Sequence, residues 1–257
     1  FNSLENRSNI NPTYRLQYIT FINKIALFFN FLSNNNRQES LDLILTDANG
    51  NKIRNKTLES VYLLEITYLE IEDSFVIRLQ DQQGFYKLIK LNIFFNIIIT
   101  KEINEGFRYL TSNCKNIYML NSTCNSIYVY DFQLELLTTI SASTTGKYNL
   151  PAKITQMETS DENFYFLNDN KTIIIIRISD GEYLSSVQLN QTLFSLINNT
   201  FIASYDSNQN ELCFSKSNNR MFSFKVESFA PNTFYLPKGK SRKLMLTSYD
   251  YKELIVF

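Results

Sequence analysis

Histidine and tryptophan do not occur anywhere in the 257 residues of this chain. Without histidine there is no Ser-His-Asp or Cys-His nucleophilic site and no H-E-x-x-H zinc protease, and no metal can be held through imidazole. Glycine is scarce too: Gly50, Gly84, Gly106, Gly146, Gly181 and Gly239 stand singly. A phosphate-cradling loop needs them clustered, so neither a P-loop nor a dinucleotide fingerprint is present. Cys114, Cys124 and Cys213 form no C-x-x-C pair, which argues against a zinc ribbon or a thioredoxin-like motif. They read as reduced cytosolic thiols half buried in strands or loops, with a Cys114–Cys124 bridge as the lesser alternative. Net charge is zero, 25 basic against 25 acidic residues, so there is no overall surplus of the kind that phosphate neutralisation in duplex nucleic acid rewards. No apolar run reaches the roughly 18 residues of a membrane span. The longest, Ile25–Phe29 and Ile173–Ile176, are strand-sized.

What is abundant points the other way. Hydrophobic residues make up 44% of the chain, with 21 Phe and 16 Tyr, a supply that suits strands and a sizeable core. Six N-x-S/T sequons, at Asn6, Asn55, Asn121, Asn170, Asn190 and Asn198, are about what chance gives in a chain this rich in Asn, Ser and Thr. They add little in favour of secretion, and a cytoplasmic location is expected.

Short apolar runs recur in one order: an aromatic-rich strand, a polar turn, an Ile/Val/Tyr strand, a second turn, an amphipathic strand. The clearest copies are Asn116–Asn121, Ser126–Asp131 and Leu134–Ile140, then Asn163–Asn168, Thr172–Ile178 and Glu182–Leu189. Asp180-Gly181 between the last two strands is a strong hairpin signal, because Gly accepts positive φ. The second strand of each unit starts near Lys24, Ser74, Asn116, Asn163, Thr200 and Lys243, about 44 residues apart on average. A four-stranded propeller blade takes roughly 40–50. First strands then fall at Leu16–Ile22, Tyr62–Leu69, Phe107–Leu110, Ile154–Met157, Leu193–Ile197 and Thr233–Leu236.

The expectation is an all-β, six-bladed β-propeller over residues 14–257, preceded by a linker or N-terminal extension at 1–13. A helix at Lys24–Leu32 and a β-sandwich are the competing readings. The last blade is expected to be incomplete: either residues before Tyr14 supply its outer strand or the natural chain continues past Phe257.

Pro151-Ala-Lys-Ile154, the aromatic strand Phe164-Tyr-Phe-Leu-Asn-Asp169, the Ile-rich strand after it and its Asp-Gly turn together resemble an NHL repeat. Ile117–Ile140 is a second such unit. No Trp-Asp or Gly-His pair occurs, which counts against WD40 repeats, while other six-bladed propellers stay open. In tripartite-motif proteins (RING, B-boxes, coiled coil) propellers of this type recruit targets. The resemblance therefore implies a substrate-recruitment module, with zinc domains outside this segment.

The functional expectation is a non-enzymatic platform that binds a protein partner through one propeller face. No cofactor, metal or membrane is expected to take part. That face is built by Asn34–Gln38, Glu105–Arg108, Ser141–Lys153, Asn190–Thr192 and Ser207–Asn210. Arg37, Arg108, Lys147 and Lys153 are its candidate binding residues. The same four would be the backbone contacts if the ligand were single-stranded RNA. Lys238–Lys243, the densest positive cluster, reads as a solvated loop. A carboxylate glycosidase is the least favoured reading, with Glu65, Glu70, Glu72, Asp73 and Glu158 as candidate acids. Asp47-Ala-Asn-Gly-Asn51 begins like a calcium loop but lacks the remaining acidic ligands, so it reads as a hairpin turn.

Overall fold

The computed structural model describes residues 13–21, 24–32, 39–47, 49, 51–103, 106–141, 150–151, 153–189, 194–196, 201–206, 211–216, 219–225, 231–235, 245–248 and 254–256. Every regular element among them is a strand. The first sheet holds β1 (Thr13–Phe21), β2 (Lys24–Leu32), β3 (Glu39–Asp47) and β4 (Lys52–Glu59). The second holds β5 (Val61–Leu69), β6 (Ser74–Asp81), β7 (Tyr86–Asn92) and β8 (Ile97–Ile103). In the third are β9 (Phe107–Ser112), β10 (Ile117–Asn121), β11 (Ser126–Tyr130) and β12 (Leu136–Ser141). The fourth comprises β13 (Ile154–Thr159), β14 (Asn163–Asn168), β15 (Thr172–Arg177) and β16 (Tyr183–Gln188). β17 (Phe194–Leu196), β18 (Phe201–Asp206), β19 (Glu211–Lys216) and β20 (Asn219–Lys225) make the fifth. The sixth has β21 (Pro231–Tyr235), β22 (Met245–Ser248) and β23 (Leu254–Val256).

Each sheet is an antiparallel meander in sequence order, and the first strands of successive sheets, β5, β9, β13, β17 and β21, lie beside one another. This is a β-propeller, with the first strand of each blade innermost. Strand positions agree with the repeat period closely. The ambiguous stretch from Lys24 is a strand, paired along its length with β1 and β3.

Strand alternation puts successive side chains on opposite faces of a sheet, and here both faces are buried. Ile117 and Met119 of β10 pack with Val76, Leu88 and Phe107 in the layer between the second and third blades. Tyr118 and Leu120 turn the other way, onto Phe164 and Phe166 of the fourth. Tyr165 and Leu167 then face Phe194 and Leu196 of the fifth. The core is a series of such layers between blades. Tyr118 and Phe164 meet edge-to-face with centroids 5.1 Å apart, a favoured aromatic geometry.

The scarcity of glycine is resolved in the turns. Tight hairpins of this kind put one residue in the left-handed region. Gly84 takes that place at φ 89°, but Phe95 (62°), Cys124 (58°), Leu134 (62°) and Lys171 (61°) take it elsewhere. A preceding Asp or Asn holds the loop in each case. Asp131 Oδ1 accepts the Gln133 and Glu135 amides at 2.9 and 2.8 Å, and Asn92 Oδ1 accepts those of Phe94 and Asn96 at 2.9 and 3.0 Å. Asp47 does the same for Asn49 and Asn51, at 2.9 and 2.8 Å, so the calcium-like stretch is a hairpin turn. Phe95 and Leu134 are fully buried between blades, so their turns use the left-handed position to fill core space that glycine would leave empty.

Two outcomes follow for stability. Phe166→Ala, at a fully buried centre-strand position, should cost about 3–5 kcal/mol in denaturant titration. A loss under about 1 kcal/mol would contradict the burial. Lys171→Gly should raise stability by about 0.5–1 kcal/mol through relief of left-handed strain. Leu134→Gly, with the same backbone and a buried side chain, should lower it by about 2 kcal/mol or more.

Candidate functional site

One face of the propeller is formed by the connections between blades and between second and third strands, here called the upper face. On this face the innermost strands carry a repeated irregularity. In β5, β9, β13 and β21 the register with the adjacent strand skips one residue: Leu64, Arg108, Thr155 and Asn232 respectively. A β-bulge of this kind re-aims the extra side chain and is common at barrel rims and beside binding sites. Arg108 therefore belongs to a strand, second residue of β9, and the bulge leaves its side chain exposed.

The Arg108 bulge is held from below. Arg78, buried on β6, donates through Nη1 to the carbonyl of Phe107 and through Nη2 to that of Arg108 at 3.2 Å. Its Nη2 also reaches Glu65 of β5 at 3.5 Å, too long for a strong hydrogen bond. The carbonyls are thus the stronger anchors, and they tie the second blade to the third. Above, the Arg108 guanidinium lies 5.6 Å from the Tyr109 ring centroid, within cation–π range, with Nη1 3.9 Å from Cys124 Sγ. The Tyr109 phenol raises the Arg108 pKa further, so the charge persists at any working pH. Burial pushes the Tyr109 phenol up, and its hydroxyl donates to the Ile154 carbonyl at 3.2 Å.

Lys153 immediately precedes Ile154, so the Tyr109 bond brings two of the four candidate residues into one neighbourhood. They differ in what they offer. Lys153 is exposed at φ 54°, but its ammonium is 3.1 Å from the Asp169 carboxylate, which neutralises it locally. Arg108 pairs with no carboxylate among the contacts described here. Arg37 and Lys147 lie outside the described residues. Sequence reasoning did not find Arg78, Tyr109 or Asp169. The signal for Arg78 was one cation inside the apolar run Ser74-Phe-Val-Ile-Arg-Leu79, because a charge is almost never fully buried unless paired.

Of the candidate acids, Glu70, Glu72 and Asp73 share the turn between β5 and β6, while Glu65 lies on β5 and Glu158 on β13. Glu65 faces Arg78, Glu72 accepts from the buried Lys90, and Asp73 accepts from the Tyr68 hydroxyl at 2.6 Å. Glu158 lies half-buried on β13. The three cysteines are thiols and not disulfides, Cys114 and Cys124 half-buried and Cys213 buried. Among the described residues no three His, Cys, Asp or Glu side chains converge as a metal site would need. No helix there is long and apolar enough to cross a membrane.

The arrangement defines a β-propeller whose upper rim presents a fixed arginine. No family model and no curated protein matches the chain. Solved structures do. Hsv2 of Kluyveromyces lactis with loop 6CD replaced by a Gly-Ser linker is 11% identical, with a TM-score of 0.54 over 95% of this chain and 92% of that one. Kluyveromyces lactis Hsv2 is 12% identical, with a TM-score of 0.51 over 90% of this chain and 70% of that one. Hsv2 of Kluyveromyces marxianus gives 12% and 0.51 over 90% and 68%. At such identities the likeness is one of fold, and it agrees with four-stranded propeller blades.

Arg78→Met, which fits the pocket but cannot serve the two carbonyls, should lower stability by about 3 kcal/mol, as for a broken buried polar network. Glu65→Gln should cost under about 1 kcal/mol, since that pair is long and partly exposed. Denaturant titration of both variants distinguishes the roles. A larger loss from Glu65→Gln would make the ion pair the anchor.

Proposed function

We propose that this chain is a non-enzymatic recognition scaffold whose upper face takes an acidic segment of a protein partner, with Arg108 as its central contact. One observation carries the reading: an exposed guanidinium carried on a bulge and lying over the Tyr109 ring, with the backbone of the bulge held by Arg78. Preorganisation of that kind reduces the ordering entropy that a flexible surface cation loses on binding. Arginine presents a planar fork suited to carboxylates and is enriched among interface hot spots. Lys153, already paired with Asp169, serves as rim. In its finer form the reading follows the NHL resemblance: a cytoplasmic substrate-recruitment module with no chemistry of its own.

The test uses a fluorescein-labelled glutamate-rich peptide and anisotropy at low salt. Arg108→Glu should weaken binding by about tenfold or more. Lys52→Glu, on the opposite face, should change it less than about twofold, and neither should shift the melting temperature. Equal loss from both variants would move the site elsewhere. Tighter, Arg108-dependent binding of oligouridylate would replace the protein partner with single-stranded RNA.

A further inference from the structure

The lower face, made by the turns from first to second and third to fourth strands, carries a second repeated irregularity that the proposed function does not use. In five blades the outermost strand is bulged near its start, and the extra residue is always apolar: Ile53, Ile98, Leu137, Leu184 and Met221. In the second, third and fourth blades the residue before it is apolar as well, and Ile97 and Ile98 of the second are 46% and 52% exposed. Leu136 and Leu137 are 47% and 56% exposed, Tyr183 and Leu184 58% and 38%. Exposed apolar pairs repeated at equivalent places on adjacent blades are features of the kind that mark an interaction surface.

The edges of the third and fourth blades, β12 and β16, carry a bulge but none of the charge that also blunts a sheet edge. Edge strands are normally blunted with charge, lysine above all. β4 has Lys52, Arg54 and Lys56, and β8 has Lys101 and Glu102. Their cations reach the next blade, Lys56 to the Phe95 carbonyl and Arg54 to Asn96 Oδ1, both at 3.0 Å, and Lys101 to Glu135 at 2.8 Å. β12 (Leu-Leu-Thr-Thr-Ile-Ser) and β16 (Tyr-Leu-Ser-Ser-Val-Gln) carry no charge at all, and among the described residues each is paired with a strand on one side only.

The turns in front of them are acidic. Asp131 and Glu135 precede Leu136, and Asp180 and Glu182 precede Tyr183. Lys101 pairs with Glu135, and Arg177 with both Asp180 and Glu182, so each turn keeps a net negative charge, and the Glu135 side chain stays 70% exposed and that of Glu182 58%. Asp161 and Glu162, in the lower turn between β13 and β14, add two more carboxylates on the same face. Charge, shape and chemistry therefore select one occupant. We propose that the outer edge of β12, together with that of β16, docks an extended, basic, amphipathic segment of a partner protein. Its backbone pairs with the open edge, its apolar side chains cover Leu136, Leu137, Tyr183 and Leu184, and its cations meet Glu135 and Glu182.

The probe is a labelled peptide of about ten residues alternating leucine and lysine, strand length, used below its self-association concentration. It should bind the wild-type chain, and Leu137→Ser/Leu184→Ser should weaken it about tenfold while circular dichroism and melting stay as in wild type. Glu135→Gln/Glu182→Gln, which keeps the apolar pairs, should weaken it as well and more so at low salt. A serine–lysine peptide of equal charge should bind at least about tenfold more weakly than the leucine–lysine one. Equal binding of the two peptides, or unchanged binding by the serine variant, overturns the proposal. So does a wild-type dimer in sedimentation velocity that the serine variant abolishes, because a second copy would then be the occupant. Arg108→Glu should leave binding intact, which keeps this site separate from the upper face.

Discussion

Every fully described blade buries both faces of its sheet, and it does so only through its neighbours. Tyr118 is covered by Phe164 and Phe166 of the following blade, while Ile117 and Met119, one residue to either side, are covered by the preceding one. No sheet of this kind has a core of its own. Stability therefore accrues layer by layer, as in other repeat proteins. The polar side chains that cross between blades are subordinate to this stacking. Buried hydroxyls close the inner ends of the strands, Thr67 with Ser112 at 2.7 Å and Thr111 with Thr159 at 3.0 Å. They satisfy one another where water is shut out.

The turns are arranged around the same layers. A chain with six glycines cannot give one to each tight hairpin. Asp and Asn at the head of the loop hold the backbone through amide bonds, which frees the left-handed position to carry Phe95 or Leu134 into the core. The cost in backbone strain at those positions is offset by the apolar surface each side chain removes from water.

Much of the fold was legible in the sequence because its period and its alternation are both regular. Strand starts at Lys24, Ser74 and Asn163 were read directly, and the alternate facing of Tyr118 and Tyr165 follows from a period of two. The site was far less legible. Arg108 could be named as a candidate from its place near a blade junction. What sets it apart from Lys153 is a bulge, an aromatic platform and the absence of an Asp169-like partner among the described contacts. A bulge is a matter of pairing between two strands, invisible in either alone. The buried Arg78 bonds mainly to backbone carbonyls, which have no sequence signature. The acidic, apolar lower rim was hidden for a related reason: Leu136-Leu137 and Tyr183-Leu184 lie in segments read as amphipathic strands, and which residue of each the register skips depends on the partner strand.

On β5, β9, β13 and β21 the extra residue falls between the paired positions of the ladder. Leu64 is half-buried, while Arg108 and Thr155 are exposed, so three chemically different side chains occupy equivalent places without altering the register around them. A position that the register skips is released from the side-chain pairing that governs the rest of the sheet. Substitution there changes what the rim displays and leaves the ladder beneath it unaltered. Recognition in this architecture can thus diversify one blade at a time, by point changes at a handful of places where the scaffold is indifferent to the choice.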